Sequence, residues 1–169
     1  MDTTMSGMGE LLGERDNYAD YLRSRREMFV AACEGLTPEQ LALRSVPPST
    51  MSLLGMVRHL AEVERVWFRR WLDGGDPERL WGPRGNDDDW NGAVGSQECV
   101  DEAWSAWRAE VAFAEGWLAA HDDMGAVVDA DHHGRINVRD IVVHLVEEYA
   151  QHLGHADLLR EVIDGRRSG

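Results

Sequence analysis

The chain has no lysine: all 17 of its basic side chains are arginine, a coding bias that carries no mechanism. Positive charge is scarce as well. Against those arginines stand 31 acidic residues, for a formal charge of −14. That balance excludes sequence-independent nucleic-acid binding, which needs a basic surface to displace counterions, and it disfavours attachment to anionic lipid. No stretch approaches the roughly 20 consecutive apolar residues of a membrane-spanning helix. Met1 to Glu10 show neither the basic nor the apolar region of a secretory signal. Two cysteines, Cys33 and Cys99, are too few for a disulfide framework, and neither has a histidine or lysine beside it in sequence to activate it. Both read as packed thiols in a cytoplasmic protein. The chain has no Walker loop, nucleophile elbow or dinucleotide fingerprint.

What is present is helical periodicity, in a length that suits one domain over residues 1–169. The first helix is predicted from Gly9 to Cys33, with Leu12, Tyr18, Leu22, Phe29 and Val30 as its apolar members and Gly35 after its end. Thr37-Pro38-Glu39-Gln40 has the signature of a capping box with a first-turn proline, and Pro47-Pro48 breaks the short turn it begins. The second long helix runs from about Ser49 to Leu72, its inner face drawn by Met56, Leu60, Val63 and Trp67. Residues 74–96, rich in glycine and proline, read as one long loop. A third helix spans Gln97 to Ala120, with Val100, Trp104, Trp107, Val111, Ala114 and Leu118 along a bundle seam. A connection carrying His132 and His133 leads to the fourth, Asn137 to Ile163. No segment alternates as a strand. The expected fold is all-α, a four-helix bundle with a long loop between helices 2 and 3.

The fourth helix carries the chemistry. His144, Glu148, His152 and His155 fall within roughly 80° of arc at about 100° per residue. Beside that arc lies the apolar stripe of Val138, Ile141, Leu145, Tyr149, Ala156 and Leu159. A solvated charge stripe would point away from the core, whereas this one sits on its shoulder. Glu148 and His152 are one turn apart and can reach a common ion. A third donor must come from another helix, and His59, at the edge of the second helix's apolar arc, is the candidate. Imidazole and carboxylate suit zinc, iron or nickel. Hydrogen-bonded core histidines are the alternative reading of the same spacing. Ferritin-like di-iron chemistry requires a Glu-x-x-His pair on each of two helices, which the chain lacks.

Other features read as structural. Trp67, Trp71, Trp104, Trp107 and Trp117 occupy core-like helical positions. Arg69-Arg70 and Arg166-Arg167 read as solvated helix ends. Asp87-Asp88-Asp89 lacks the spaced ligands of a calcium loop and reads as a solvated run.

Two segments carry a family resemblance. Ser52-Leu53-Leu54-Gly55-Met56-Val57-Arg58-His59-Leu60-Ala61-Glu62-Val63-Glu64-Arg65 and the stretch from Glu147-Glu148-Tyr149-Ala150-Gln151-His152 to Glu161 resemble the signature segments of the DinB superfamily, in an actinobacterial branch similar to the mycothiol-dependent S-transferases. The resemblance covers nearly the whole chain. It implies DinB-like bundle topology and one metal near the open end, held by His59, Glu148 and His152. Most relatives have histidine where Glu148 stands; the mycothiol-linked maleylpyruvate isomerases have glutamate. Those isomerases also carry a C-terminal domain without a counterpart in this sequence, so isomerisation is not expected. His155 is no family ligand position and is read as a group behind the ligands or an acid–base in the pocket. Trp81 and Trp90, in the long loop, are the candidates for a thiol pocket.

The implied function is transfer of a low-molecular-weight thiol, mycothiol, to an electrophile, with the thiolate activated at a divalent metal. Zinc is the expected ion, with nickel or iron as alternatives. The partners are thus a small thiol and a small electrophile, and a homodimer is the expected assembly. Two other readings stay open: metal-assisted hydrolysis, and a stress protein that binds a metal or ligand without turnover.

Overall fold

The computed structural model describes residues 11–83, 85–130 and 133–166. Its long elements are helices: α1 Glu14–Cys33, α3 Leu53–Glu64, α5 Gln97–Ala120 and α6 Val138–Asp164. Single turns α2 (Pro38–Leu41) and α4 (Asp88–Asn91) lie in the connections. α1 packs against α6, and α3 against α5. The fold is all-α, a bundle of four long helices.

The expected start of the first helix at Gly9, like His132 and Arg167, lies outside the described residues. Leu11 to Gly13 are not helical and Leu12 is exposed. α1 begins at Glu14, where Glu14 and Asp16 place negative charge at the positive end of the helix dipole. The Thr37 capping box forms, closed by Gln40. Gly165, at φ 77°, ends α6 in the left-handed conformation that glycine adopts without steric cost.

Two connections hold more structure than expected. The long loop contains α4. The α5–α6 connection contains a small antiparallel hairpin, β1 (Val127–Asp129) paired with β2 (Arg135–Asn137), Val128 opposite Ile136. Strands of three residues are too short for alternation to show in the sequence.

The core follows most of the predicted stripe positions on α1, α5 and α6, with Tyr18, Val30, Trp104 and Val111 only half-buried against it. Leu22, Phe29, Trp107, Ala114, Leu118, Ile141, Leu145, Tyr149 and Ala156 are buried, and each large aliphatic or aromatic side chain contributes roughly 1.5–3 kcal/mol. The second helix departs from its prediction. From Arg65 to Leu72 it continues as a π-helix, in which the i→i+5 pattern turns each residue through a smaller angle. The buried positions there are Phe68 and Leu72, while Trp67 is only half-buried; Val63, still within α3, is half-buried as well. Trp67 and Trp71 are thereby released from the core towards a cleft.

A polar network crosses the core. The fully buried Glu64 takes two hydrogen bonds from Arg26, both 2.8 Å, and one from the Tyr149 hydroxyl at 2.9 Å. Trp107 Nε1 donates to that hydroxyl at 2.8 Å. One residue from each long helix thus meets in a single satisfied cluster.

Candidate metal centre and cleft

His59 on α3 and Glu148 and His152 on α6 each offer a ligand atom, and these atoms lie within 4.8 Å of one another. The α6 pair follows from helical spacing. His59 joins it because α3 and α6 are neighbours in the bundle. Glu148 Oε2 stands 3.4 Å from His152 Nε2. Metal–ligand bonds of about 2.0–2.2 Å place neighbouring tetrahedral donors about 3.4 Å apart, so this spacing fits a small divalent ion. The other ring nitrogen of His152, Nδ1, is buried and has no hydrogen-bond partner. With Nδ1 enclosed, Nε2 beside Glu148 is the nitrogen placed to share an ion with that carboxylate.

The cluster is held from the loop side by α4. Arg58 reaches out of α3 and donates from Nε to Asp89 O and from Nη2 to Asp88 O, both at 3.0 Å. Its guanidinium lies 3.9 Å from the centre of the Trp81 ring, whose Nε1 donates to Arg58 O at 2.7 Å. Gly55 admits the next piece. A Cβ at that position would stand 2.9 Å from Trp90 Cε3, so only glycine lets the Trp90 indole approach α3. Trp90 stacks on His59, centroids 4.9 Å apart at 29°, and its ring lies 5.9 Å from that of His152. Asp89 Oδ2 stands 2.8 Å from His59 Nδ1.

The acidic run is therefore not uniformly solvated: Asp89 is turned inward on His59. Burial would raise the Asp89 carboxyl, but the hydrogen bond and charge of His59, with the Trp90 N–H, outweigh it and hold Asp89 below its usual range. An ionised Asp89 only accepts, so His59 Nδ1 carries a proton, and in the neutral imidazole Nε2 is then the nitrogen that offers a lone pair. Glu148 is also held below the usual carboxylate range, chiefly by the His152 hydrogen bond. Burial opposes this, and the charges of His152, His59 and His144 support it.

A cleft of about 620 Å³ opens from His59 and Glu148. The π-helix supplies its wall with Arg65, Trp67, Arg70 and Trp71, while Glu62 and Arg79 close one side and His144 the other. His144 Nε2 is 3.7 Å from Glu148 Oε1, and its ring packs edge-on against Trp67 at 4.7 Å.

Of the residues singled out in the sequence, His59, Glu148 and His152 converge. His155 stands behind His152, ring centroids 5.5 Å apart, with its Nδ1 buried and unpartnered. Burial and then His152 lower its pKa. Trp90 lies against both histidines of the cluster, whereas Trp81 packs on Arg58 and lines a separate pocket of about 80 Å³. Sequence reasoning missed Asp89, Glu62 and the cleft-lining Trp67, Trp71 and Arg70. Arg69, read as a solvated end, instead bonds buried Glu110 and lies 4.0 Å over the Phe113 ring. The arginine pair set between aromatics in Trp67-Phe68-Arg69-Arg70-Trp71 was the available signal, since a purely core-facing turn carries no such charges.

Fold and site together define a DinB-like helical bundle with a His–Glu–His cluster, of which His59 and Glu148 line a cleft. The model of the mycothiol-S-transferase family matches residues 18–165, and the chain belongs to that family. Its fold is similar to the crystal structure of a conserved protein from Enterococcus faecalis, with a TM-score of 0.71, 14% identity, and coverage of 92% of this chain and 100% of that one. At that identity the likeness concerns the fold. No curated protein matches the chain.

Proposed function

We propose that the protein transfers mycothiol to a small electrophile at a divalent metal, zinc foremost, held by His59, Glu148 and His152. The observation that carries this reading is the meeting of two imidazoles and one carboxylate, from two helices, at the end of a cleft large enough for a small molecule. Family membership supports it. A bound divalent ion supplies the Lewis acidity that favours thiolate over thiol at neutral pH.

The chain's own residues do the rest. Asp89 fixes the tautomer of His59, and Trp90 covers the inner side of the cluster against water. Glu148 balances part of the cation's charge and leaves the cleft side open to the incoming sulfur. The proton that leaves the thiol goes to His144 Nε2, which lines the cleft beside Glu148. His155 backs His152 from outside the cleft. Sulfur then attacks the electrophilic carbon; the bond to its leaving group breaks, or a double bond opens and takes up a proton.

The test is consumption of an alkylating electrophile by the full chain loaded with zinc. Conjugation that requires mycothiol and stops on chelation is the expected result. Turnover without thiol would make the protein a hydrolase, and binding without turnover a carrier; either outcome overturns the reading. No helix among the described residues is long and apolar enough to cross a membrane, and we place the activity in the cytoplasm. The proposed assembly is a homodimer. A sedimentation mass of one 19.0 kDa chain across micromolar concentrations would refute it.

A further inference from the structure

Arg65 to Leu72 form eight residues of π-helix. The i→i+5 pattern is rare and mostly confined to a single turn, so a stretch of this length needs a hold from outside itself. That hold is on α5. Glu110, only 3% exposed, accepts on Oε1 from Arg65 Nη1 at 2.7 Å and on Oε2 from Arg69 Nε. Phe113, three residues further along α5, lies 4.0 Å from the Arg69 guanidinium, face-on. Arg65 also donates from Nε to Glu78 O at 2.7 Å. A carboxylate buried to this degree keeps its charge because both oxygens are paired.

The pairing bears on the form of the helix. In an α-helix a four-residue step carries each side chain about 40° past the one before it. An α-helical continuation would therefore carry Arg69 on round from Arg65. The smaller angle per residue of the π form keeps Arg69 turned to α5, where Glu110 and Phe113 receive it. The same smaller angle brings Phe68 and Leu72 into the core and leaves Trp67 and Trp71 half-buried. The end of the segment is fixed as well. Asp73 N donates to Phe68 O and Gly75 N to Arg69 O, both at 2.9 Å. A Cβ at Gly75 would stand 2.8 Å from that Arg69 oxygen, so glycine lets the chain close there.

Trp67, Arg70 and Trp71 line the cleft that His59 and Glu148 also line, whereas α5 contributes no lining residue among those described. We propose that Glu110 is a positioning residue, which from α5 holds Arg65 and Arg69 so that the segment keeps its π form and Trp67 and Trp71 stand in the cleft wall. Its effect on turnover rests on the thiol-transfer reading above. Its effect on the wall does not.

Nuclear Overhauser contacts in the zinc-loaded full chain read the wall directly. Phe68 meets Trp117 with ring centroids 6.1 Å apart, and Trp67 meets His144 at 4.7 Å. Trp104 and Trp107, at 5.4 Å, are the reference within the bundle. Two variants are compared. Glu110→Gln removes the charge. The triple variant Arg65→Met, Arg69→Met, Glu110→Leu replaces the whole polar group by apolar side chains, a change that is often neutral or stabilising, and it keeps the test decisive should Glu110→Gln fail to fold. Both should lose the Phe68–Trp117 and Trp67–His144 contacts and keep that of Trp104 with Trp107. With mycothiol and 1-chloro-2,4-dinitrobenzene, kcat/KM of each should fall about 10- to 100-fold. Zinc affinity should stay within about twofold, because the donors are untouched. Persistence of both contacts would overturn the role of Glu110, and loss of the reference contact with them would reduce it to general support of the fold. Lost contacts with kcat/KM unchanged would overturn the wall's part in turnover. An unsubstituted protein that does not turn over would remove the thiol-transfer reading, while the ring contacts still decide whether Glu110 sets the wall.

Discussion

His59 Nδ1 and Asp89 Oδ2 stand 2.8 Å apart, so one turn of helix in the long loop orients a donor on a bundle helix. Loss of a carboxylate that orients a metal-binding histidine typically costs 10–100-fold in metal affinity. Asp89→Ala should therefore weaken zinc binding by about that factor. Asp89→Asn, which keeps an acceptor oxygen, should fall between. Competition with a chromophoric chelator reads both, and unchanged affinity in Asp89→Ala would show that the pair does not position His59.

The donor assignment has an internal control. His121 stacks on Trp117 with ring centroids 3.8 Å apart at 8°, and its Nδ1 is 2.6 Å from Trp117 O. His59→Ala and His152→Ala should lose most of the bound metal, and His121→Ala should keep it. Elemental analysis of the purified variants decides the matter; full occupancy in His152→Ala ends the assignment.

The buried network should be expensive to break and cheaper to trim. Removing one partner of a buried ion pair strands the other, at about 3–5 kcal/mol. Glu64→Ala should lose stability in that range because Arg26 is left 3% exposed without its carboxylate. Tyr149→Phe removes the hydroxyl's bond to the charged Glu64 and also leaves Trp107 Nε1 without its acceptor, and should cost at least about 1.5–3 kcal/mol. Urea unfolding of both single variants and the double variant measures these losses, which should be non-additive because Glu64 and Tyr149 are bonded to each other.

Cys33 gives a pH signature. Burial pushes its thiol from 9.0 up to about 12, against a smaller opposing pull from Arg160. The unfolded chain ionises first, so the stabilisation from the protonated buried thiol is complete below pH 9 and is lost as pH rises towards about 12. Within that window this one group should lower stability by up to about 1.4 kcal/mol per pH unit. Unfolding midpoints of the unsubstituted protein and Cys33→Ala should draw together as pH rises from 9 towards about 12. A constant difference would mean that the thiol ionises freely in the fold.

Helical period was enough to place Glu148 and His152 on one face of α6, because a four-residue step in a regular helix fixes relative direction whatever surrounds it. The same period set the core stripes of α5 and α6 and, with the capping signals, most helix ends. It failed at Arg65–Leu72. There the choice between i→i+4 and i→i+5 bonding depends on what the helix packs against, and one extra residue per turn moves Trp67 and Trp71 from core to cleft wall. Asp89 was illegible for a related reason. An aspartate in a polar run has the local chemistry of a solvated residue, and only the approach of α4 over Gly55 turns it onto His59. Local sequence thus decided which donors share a helix. Tertiary packing decided which helix supplies the third donor, what orients it, and which side chains the cleft presents, because those relations join residues about 30 to 90 positions apart along the chain.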